Sequence, residues 1–159
     1  GVIYNDEYFG KVPAERLFAK DGMVYFKIDG KLRAKIGLPA GRAKDICGSY
    51  DSAKKVLTIL KYTVPEGNKP YMNGQWGKQD DAFNGDVINS YNDGPTETGY
   101  VQGPFYEIET SSPGADLQPG GSLTHTQYIL HIQGDETELN EIVKAVFGVE
   151  ISTIENSFK

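Results

Sequence analysis

Two long segments of alternating side-chain character restrict the fold more than any other feature of this sequence. Residues 55–64 and 122–133 both change character at every second position, which is the period of a β-strand. Residues 55–64 carry apolar side chains on both faces, as a strand in the middle of a sheet does. Shorter alternating runs at 23–28, 31–36 and 104–110 are separated by turns that contain Gly or Pro. The pattern predicts an all-β protein.

The chain length and the number of turn-forming residues indicate which all-β architecture to expect. The 159 residues suffice for one domain of ordinary size and are too few for two comfortable ones. Nineteen glycines and eight prolines indicate frequent turns, and ten tyrosines with seven phenylalanines suit packed strands. We therefore expect residues 1–159 to form a single antiparallel β-sandwich of roughly eight to ten strands.

Two local elements can be placed with more detail. The alternating runs at 23–28 and 31–36 flank Asp29-Gly30, a pair typical of a tight β-turn, and predict a hairpin there. Near the end of the chain, apolar residues recur at helical spacing over about 136–147. Asp135 and Glu138 have the spacing of a capping box, and Gly148 can end the helix. One C-terminal α-helix should therefore pack its apolar stripe against a sheet.

Charge and motif content exclude several classes of function. Lys and Arg total 16 against 22 Asp and Glu, and the net charge of −6 disfavours nucleic acid as a partner. No apolar run approaches the roughly 18 residues that a membrane-spanning helix needs. Cys47 is the one cysteine, and His125 and His131 lie about 20 Å apart if both are on one strand. We expect no metal and no cofactor, and the phosphate-binding glycine loop and the nucleophile elbow are both missing.

A polar stretch at 71–103 has little periodicity and is predicted to be mostly loop, which is long for a compact domain. Its Asn, Asp and Gly residues suit turn chemistry, and that reading stays open beside a functional one. The functional reading is a site for a polyol or an ion, and for a sugar the aromatic rings would stack on its ring while polar side chains bind its hydroxyls. The candidate substrate-binding residues are Trp76, Asp86, Asn89, Tyr91, Asn92 and Asp93.

Two glutamates form the second candidate site. Glu107 and Glu109 lie two residues apart in an alternating run, so their side chains point to the same side of a strand. Aromatic neighbours can raise the pKa of a carboxyl group toward that of a useful acid or base. A pair of solvated glutamates on an exposed face is the alternative.

The order of motifs around these glutamates resembles one known superfamily. Glu109-Thr110, then the turn Leu117-Gln118-Pro119-Gly120-Gly121-Ser122-Leu123, then Thr126-Gln127-Tyr128, is similar to the C-terminal part of the aldose 1-epimerases (galactose mutarotases). Over most of its length the chain resembles uncharacterised bacterial proteins of the same fold, some of which are described as glycoside hydrolases. The resemblance implies a partial mutarotase-like sandwich that corresponds to the C-terminal half of such a protein.

The resemblance also implies a chemistry. Glu109 matches the base that removes the proton from the anomeric hydroxyl of a sugar, and Glu107 is a secondary catalytic candidate. The general acid of the mutarotases is a histidine earlier in the chain, and this chain has no histidine before His125. Whether the chain is an enzyme therefore stays open. The relatives imply a periplasmic or extracellular bacterial protein.

Two functions from different classes follow. The first is a carbohydrate-binding domain that acts on the anomeric centre of a sugar or in glycoside processing. The second is a non-catalytic carbohydrate-recognition or assembly module, in which exposed strand edges are covered by a homodimer or by a missing N-terminal half. For glycoside hydrolysis a second carboxyl group would have to face Glu109, and Asp80, Asp86 and Asp93 are the candidates.

Overall fold

A computed structural model describes residues 1–67, 69–74, 79–103 and 105–159. Within them the strands are Ile3–Tyr4 (β1), Leu17–Lys20 (β2), Met23–Phe26 (β3), Ala34–Pro39 (β4), Ile46–Asp51 (β5), Val56–Tyr62 (β6), Asp86–Asn92 (β7), Tyr106–Thr110 (β8) and Gln127–Gln133 (β9). The helices are Asp6–Phe9 (α1), Glu136–Phe147 (α2) and Ile151–Asn156 (α3), with a 3₁₀ turn at Ala14–Arg16. Every strand pairing is antiparallel. The predicted all-β class is confirmed, and these sheets fit a β-sandwich.

The chain divides into two compact units. The first unit comprises residues 1–13, 28–44 and 63–126, and the second comprises 14–27, 45–62 and 127–159. In the first unit, four strands form a sheet in the order β1-β4-β7-β8. In the second unit, β5-β6-β9 form a three-stranded sheet and β2-β3 form a hairpin.

Strand β7 corrects the prediction of a mostly loop segment at 71–103. The strand occupies Asp86–Asn92 in the middle of its sheet, and most of its residues are buried. Its Asn and Ser residues disfavour strands, but Ser90 and Asn92 make tertiary hydrogen bonds here. Asn92 accepts a bond from the backbone N–H of Gly30 and donates one to the carbonyl of Leu32. Such partners lie some 60 residues away, so local sequence cannot reveal them.

The predicted hairpin around Asp29-Gly30 is wrong. Strand β3 pairs with β2 across Asp21-Gly22, whereas β4 pairs with β1 and β7. Asp21 and Gly22 both have positive φ, 51° and 75°, as a type I′ turn requires. The sequence contains two Asp-Gly pairs with similar flanks, and only the first of them closes a hairpin.

The second unit contains an apolar core between its sheet and its helices. Leu57 and Ile59 of β6 pack with Leu139 and Val143 of α2 and with Ile151 of α3. Strand β6 lies between β5 and β9, as its two apolar faces predict. This sheet-and-helix arrangement is the packing that the apolar stripe of α2 was expected to provide.

The bounds of α2 match the predicted helix. The Asp135 carboxylate accepts a bond from the N–H of Glu138 at 2.9 Å, and Gly148 ends the helix with a left-handed backbone. The short helix α3 was not predicted. Its first N–H, that of Ile151, donates to the side-chain oxygen of Asn140 on α2, so its start depends on a contact with the preceding helix.

Candidate functional site

Strand register in the first unit brings several predicted residues to one face of the four-stranded sheet. Asn89 of β7 lies between Gly37 of β4 and Glu109 of β8. One register position further along, Tyr91 lies between Lys35 and Glu107. Directly opposed residues of an antiparallel sheet project to the same face, so these form two rows on one side. We call the side chains of Lys35, Asp86, Asn89, Glu107 and Glu109 the polar face.

A bulge brings Asp86 to this face. The pairing of β4 with β7 shifts between Leu38 and Pro39, so that Pro39 lies opposite Asp86 and Val87 is skipped. The Asp86 side chain then lies over Gly37. A Cβ atom on Gly37 would come within 2.6 Å of the Asp86 Cβ, so the glycine leaves the space that this carboxylate occupies.

Two of the three carboxylates of the polar face, those of Asp86 and Glu109, have different surroundings. Burial raises the pKa of Asp86, while a hydrogen bond from Asn89 and the charge of Lys35 act in the opposite direction. Glu109 is about half exposed and its Oε2 lies 3.4 Å from Nζ of Lys35. The nearby Glu109 charge further raises the pKa of Asp86. A buried carboxyl whose pKa is raised, beside a more exposed carboxyl group, is an arrangement suited to acid–base chemistry.

Asn89 shows an unfilled hydrogen-bonding capacity at the centre of the polar face. Only 9% of the residue is exposed. Its side chain hydrogen-bonds Asp86, yet its Oδ1 atom is buried and has no partner among the described residues. A buried acceptor without a donor costs about 1–3 kcal/mol and is uncommon in native structures. A ligand hydroxyl is one group that could donate to it.

Tyr91 does not have the role that the sequence predicted. Only 4% of the residue is exposed, and its ring contacts those of Phe9 and Phe105 at centroid distances of 5.3 and 5.7 Å. Its hydroxyl donates to the carboxylate of Asp93 at 2.7 Å and accepts a bond from Arg33. Stacking of Tyr91 on a sugar ring is therefore wrong, because the ring has no open face.

Asp93 shapes a loop instead of presenting a carboxylate to a ligand. It is buried, and its second oxygen accepts a bond from the N–H of Gly103 at 2.7 Å. Burial by itself would raise the pKa of Asp93, but the bonds from Gly103, from Tyr91 and from the N–H groups of Gly94 and Gln102 lower it below its ordinary value. This carboxylate remains ionised and cannot act as a general acid.

The remaining predicted residues do not join the polar face. Asn92 lies one position from Tyr91 along β7, so its side chain points to the opposite side of the sheet and bonds to Gly30 and Leu32. Trp76 lies outside the described residues. Of the candidates named from sequence, the structure thus brings together Asp86, Asn89, Glu107 and Glu109.

A cleft adjoins the Asp86 end of the polar face. Its volume is about 450 Å³, and it is lined in part by Pro39, Tyr71, Asp81, Phe83 and Gly85. Pro39 is the strand partner of Asp86 and Gly85 precedes it, so the cleft lies beside the backbone of Asp86, whose side chain is not part of the lining. Its size is within the range of small-molecule sites. Phe83, which is exposed, supplies aromatic surface beside carboxylate and backbone polar groups, whereas Tyr71 is buried.

Both histidines are engaged by threonines. Nε2 of His125 lies 3.0 Å from the Thr110 hydroxyl, and Nδ1 of His131 lies 3.0 Å from that of Thr58. Among the described residues, no group of three or more His, Cys, Asp and Glu side chains is placed to bind a metal ion. In the same part of the chain, no helix has the length and apolar character needed to cross a bilayer.

Sequence reasoning missed Lys35 and Gly37. Lys35 stands between Ala34 and Ile36, so alternation already marks it as facing away from the apolar side of β4. What the alternation cannot show is that Glu109, 74 residues later, lies diagonally across two strands from it. The importance of Gly37 depends on the bulge opposite it, for which the sequence carries no evident signal.

The comparisons with known proteins identify one relationship. Residues 2–158 match the family described as "Family of unknown function (DUF6786)". No curated protein and no solved structure matches the chain.

Proposed function

The chain belongs to the DUF6786 family, and from the geometry of its polar face we propose that it binds carbohydrate there and catalyses proton transfer at the anomeric centre. The observation that carries this proposal is the juxtaposition of Asp86, whose pKa is raised, with Glu109 across Asn89. The resemblance to the aldose 1-epimerases supports the same chemistry, since Glu109 matches their catalytic base. A setting outside the bacterial cytoplasm, where free sugars and polysaccharides are met, fits this proposal.

Glu109 serves as the base. Its carboxylate removes the proton of the anomeric hydroxyl, and the electron pair of that O–H bond forms the carbonyl of the open-chain aldehyde. Asp86, in its protonated form, donates its proton to the ring oxygen as the bond between that oxygen and the anomeric carbon breaks. Rotation about the neighbouring carbon–carbon bond and the reverse proton transfers give the other anomer, and both carboxyl groups return to their initial states.

Asp86 would thus supply the acid that the mutarotases obtain from histidine. Asp93 is unsuited because its lowered pKa keeps it ionised. Lys35 contacts Glu109 at 3.4 Å, and Asn89 offers its Oδ1 atom to a sugar hydroxyl. Phe83, an exposed aromatic side chain of the adjoining cleft, provides apolar surface for the face of a sugar ring.

Ligand-observed NMR tests binding and catalysis together. Freshly dissolved α-anomers of glucose, galactose, xylose and mannose are added to the protein. Saturation transfer reports binding, and the growth of the β-anomer signal reports exchange. We expect exchange above the buffer rate, reduced about 100-fold or more by Glu109→Gln with binding retained. Asp86→Asn should reduce exchange similarly.

Glu97→Gln provides the matched control, because Glu97 is exposed in a loop outside the polar face. Binding without exchange would contradict the catalytic part of the proposal and favour a carbohydrate-recognition module, the second function expected from the sequence. Absence of binding to all four sugars, with an unchanged result for a panel of their oligosaccharides, would contradict the proposal as a whole.

A further inference from the structure

Strand β9 forms an unusually apolar edge of the three-stranded sheet. It pairs with β6 on one side, and no described strand pairs with its other side. Tyr128, Ile129 and Leu130 are nevertheless 62, 51 and 47% exposed. Residues 117–134, which include the whole of β9, contain no Asp, Glu, Lys or Arg. Natural proteins protect free strand edges with charge, proline or bulges, and β9 has none of these along Gln127–Gln133.

Hydrogen bonds at both ends of β6 show which backbone groups of β9 point toward β6 and which point away from it. The N–H of Gly134 donates to the carbonyl of Lys55, whereas the N–H of Tyr62 donates to Asp45, on the β5 side. Because backbone groups alternate sides along a strand, odd-numbered residues of β6 face β9. Their partners in β9 are the even-numbered residues, among them Leu130 opposite Ile59. The backbone groups of Ile129 and His131 therefore face the free edge.

Strand β9 has seven residues, with Leu130 at its centre and the same residue type at both ends. It reads Gln-Tyr-Ile-Leu-His-Ile-Gln, with glutamine at both ends. In an antiparallel pairing of two copies centred on Leu130, Ile129 of each lies opposite His131 of the other. These are the residues whose backbone groups point outward, so they can exchange hydrogen bonds. Leu130 then lies opposite its own copy at a non-hydrogen-bonded position, where side chains approach most closely.

We propose that β9 pairs antiparallel with β9 of a second copy of this chain, about a two-fold axis at Leu130. The pairing joins two three-stranded sheets into one of six strands, a common sheet size. Tyr128 of one copy covers Ile132 of the other, and Ile132 already packs against the core of the second unit. Each copy carries a net charge of −6, and the uncharged β9 segment lets two copies meet without opposing carboxylates.

Disulfide trapping tests the register directly. In a Cys47→Ala background, Leu130→Cys places two thiols on the axis, where the Cα atoms of a non-hydrogen-bonded pair are about 4.5 Å apart, within disulfide range. Tyr128→Cys is the matched control. Its two copies would be offset by four residues, or about 13 Å, beyond disulfide reach. Under mild oxidation we expect a covalent dimer from Leu130→Cys and none from Tyr128→Cys.

Sedimentation equilibrium of the unmodified chain supplies an independent readout. We expect a reversible dimer that Leu130→Lys weakens about tenfold or more, because the two new charges would face each other on the axis. Leu123→Lys, on an equally apolar exposed residue outside β9, should leave association unchanged. A monomer at every concentration, equal cross-linking at 130 and 128, or equal weakening by both lysine variants would each overturn the proposal.

Discussion

The two larger sheets of this protein differ in what their side chains do. In the second unit, β6 presents Leu57 and Ile59 to two helices, and the resulting core is apolar throughout. In the first unit, the four-stranded sheet carries ionisable and amide groups at the register positions around Asn89. Burial of apolar surface stabilises the sheet of the second unit. The sheet of the first unit is destabilised in part by a desolvated carboxyl and by an amide oxygen that has no hydrogen-bond donor among the described residues.

The candidate site therefore lies in the first unit, and the apolar cluster around Leu139 lies in the second. Two residues that break the local rules, buried Asp86 and Asn89, lie side by side in the first unit. Such violations are expected at functional sites, because a binding site keeps polar groups ready for a ligand at a cost to the folded protein. The comparison therefore makes opposite predictions for substitutions in the two sheets.

The largest effect is expected in the apolar core. Leu139 on α2 is fully buried among Leu57, Ile59 and Val143. Leu139→Ala removes buried methyl groups and leaves a cavity, so the free energy of unfolding should fall by about 2–5 kcal/mol. Urea unfolding followed by circular dichroism measures it. Leu117→Ala, on a half-exposed leucine, is the control and should change little. If Leu139→Ala lowered the free energy of unfolding no more than Leu117→Ala does, the proposed difference between the two sheets would be wrong.

An intermediate effect is expected at Gly37. The new methyl group of Gly37→Ala would meet Asp86 at 2.6 Å, and relieving this contact should cost about 1–3 kcal/mol. Gly41→Ala is the matched control, because a Cβ there has no atom within 4 Å. Urea unfolding should separate the two variants, and amide NMR shifts should change at Asn89 and Lys35 for Gly37→Ala alone. Equal behaviour of both glycines would show that Asp86 does not depend on the space over Gly37.

The smallest effect has the opposite sign. Burial raises the pKa of Asp86 in the folded state. The protonated side chain therefore leaves the stability of the fold intact at low pH, and the free energy of unfolding falls as pH rises through that pKa. Asp86→Asn should therefore raise the free energy of unfolding by about 0.5–1 kcal/mol at pH 7 while reducing anomer exchange about 100-fold. The gain should vanish at pH 3, where the wild-type carboxyl is protonated.

Thermal or urea unfolding at both pH values measures this difference, and Asp51→Asn, on a partly exposed residue of β5, serves as a reference. Destabilisation by Asp86→Asn at pH 7 would mean that the ionised carboxylate contributes favourable contacts. The buried Asp86 side chain would then stabilise the first unit, as the buried apolar side chains stabilise the second.

Much of the secondary structure follows from the sequence alone. The helix at Glu136–Phe147 was predictable because its caps and its apolar stripe agree with one another. The central position of β6 was predictable because both of its faces are apolar. The same reasoning failed for β7, whose Asn and Ser side chains favour loops, and for the turn at Asp29-Gly30, where a local preference was outweighed by the pairing of β4 with β7.

Three features could be inferred from sequence: the antiparallel all-β class, the C-terminal helix, and the orientation of Glu107 and Glu109 on one side of their strand. Each of these features depends on spacings within a few residues. Only the tertiary structure decided that Asn89 and Glu109 are neighbours, that Asp86 lies over Gly37 and that Tyr91 is buried. Those facts depend on strand register and on one bulge, and both are fixed by contacts between residues far apart in the chain.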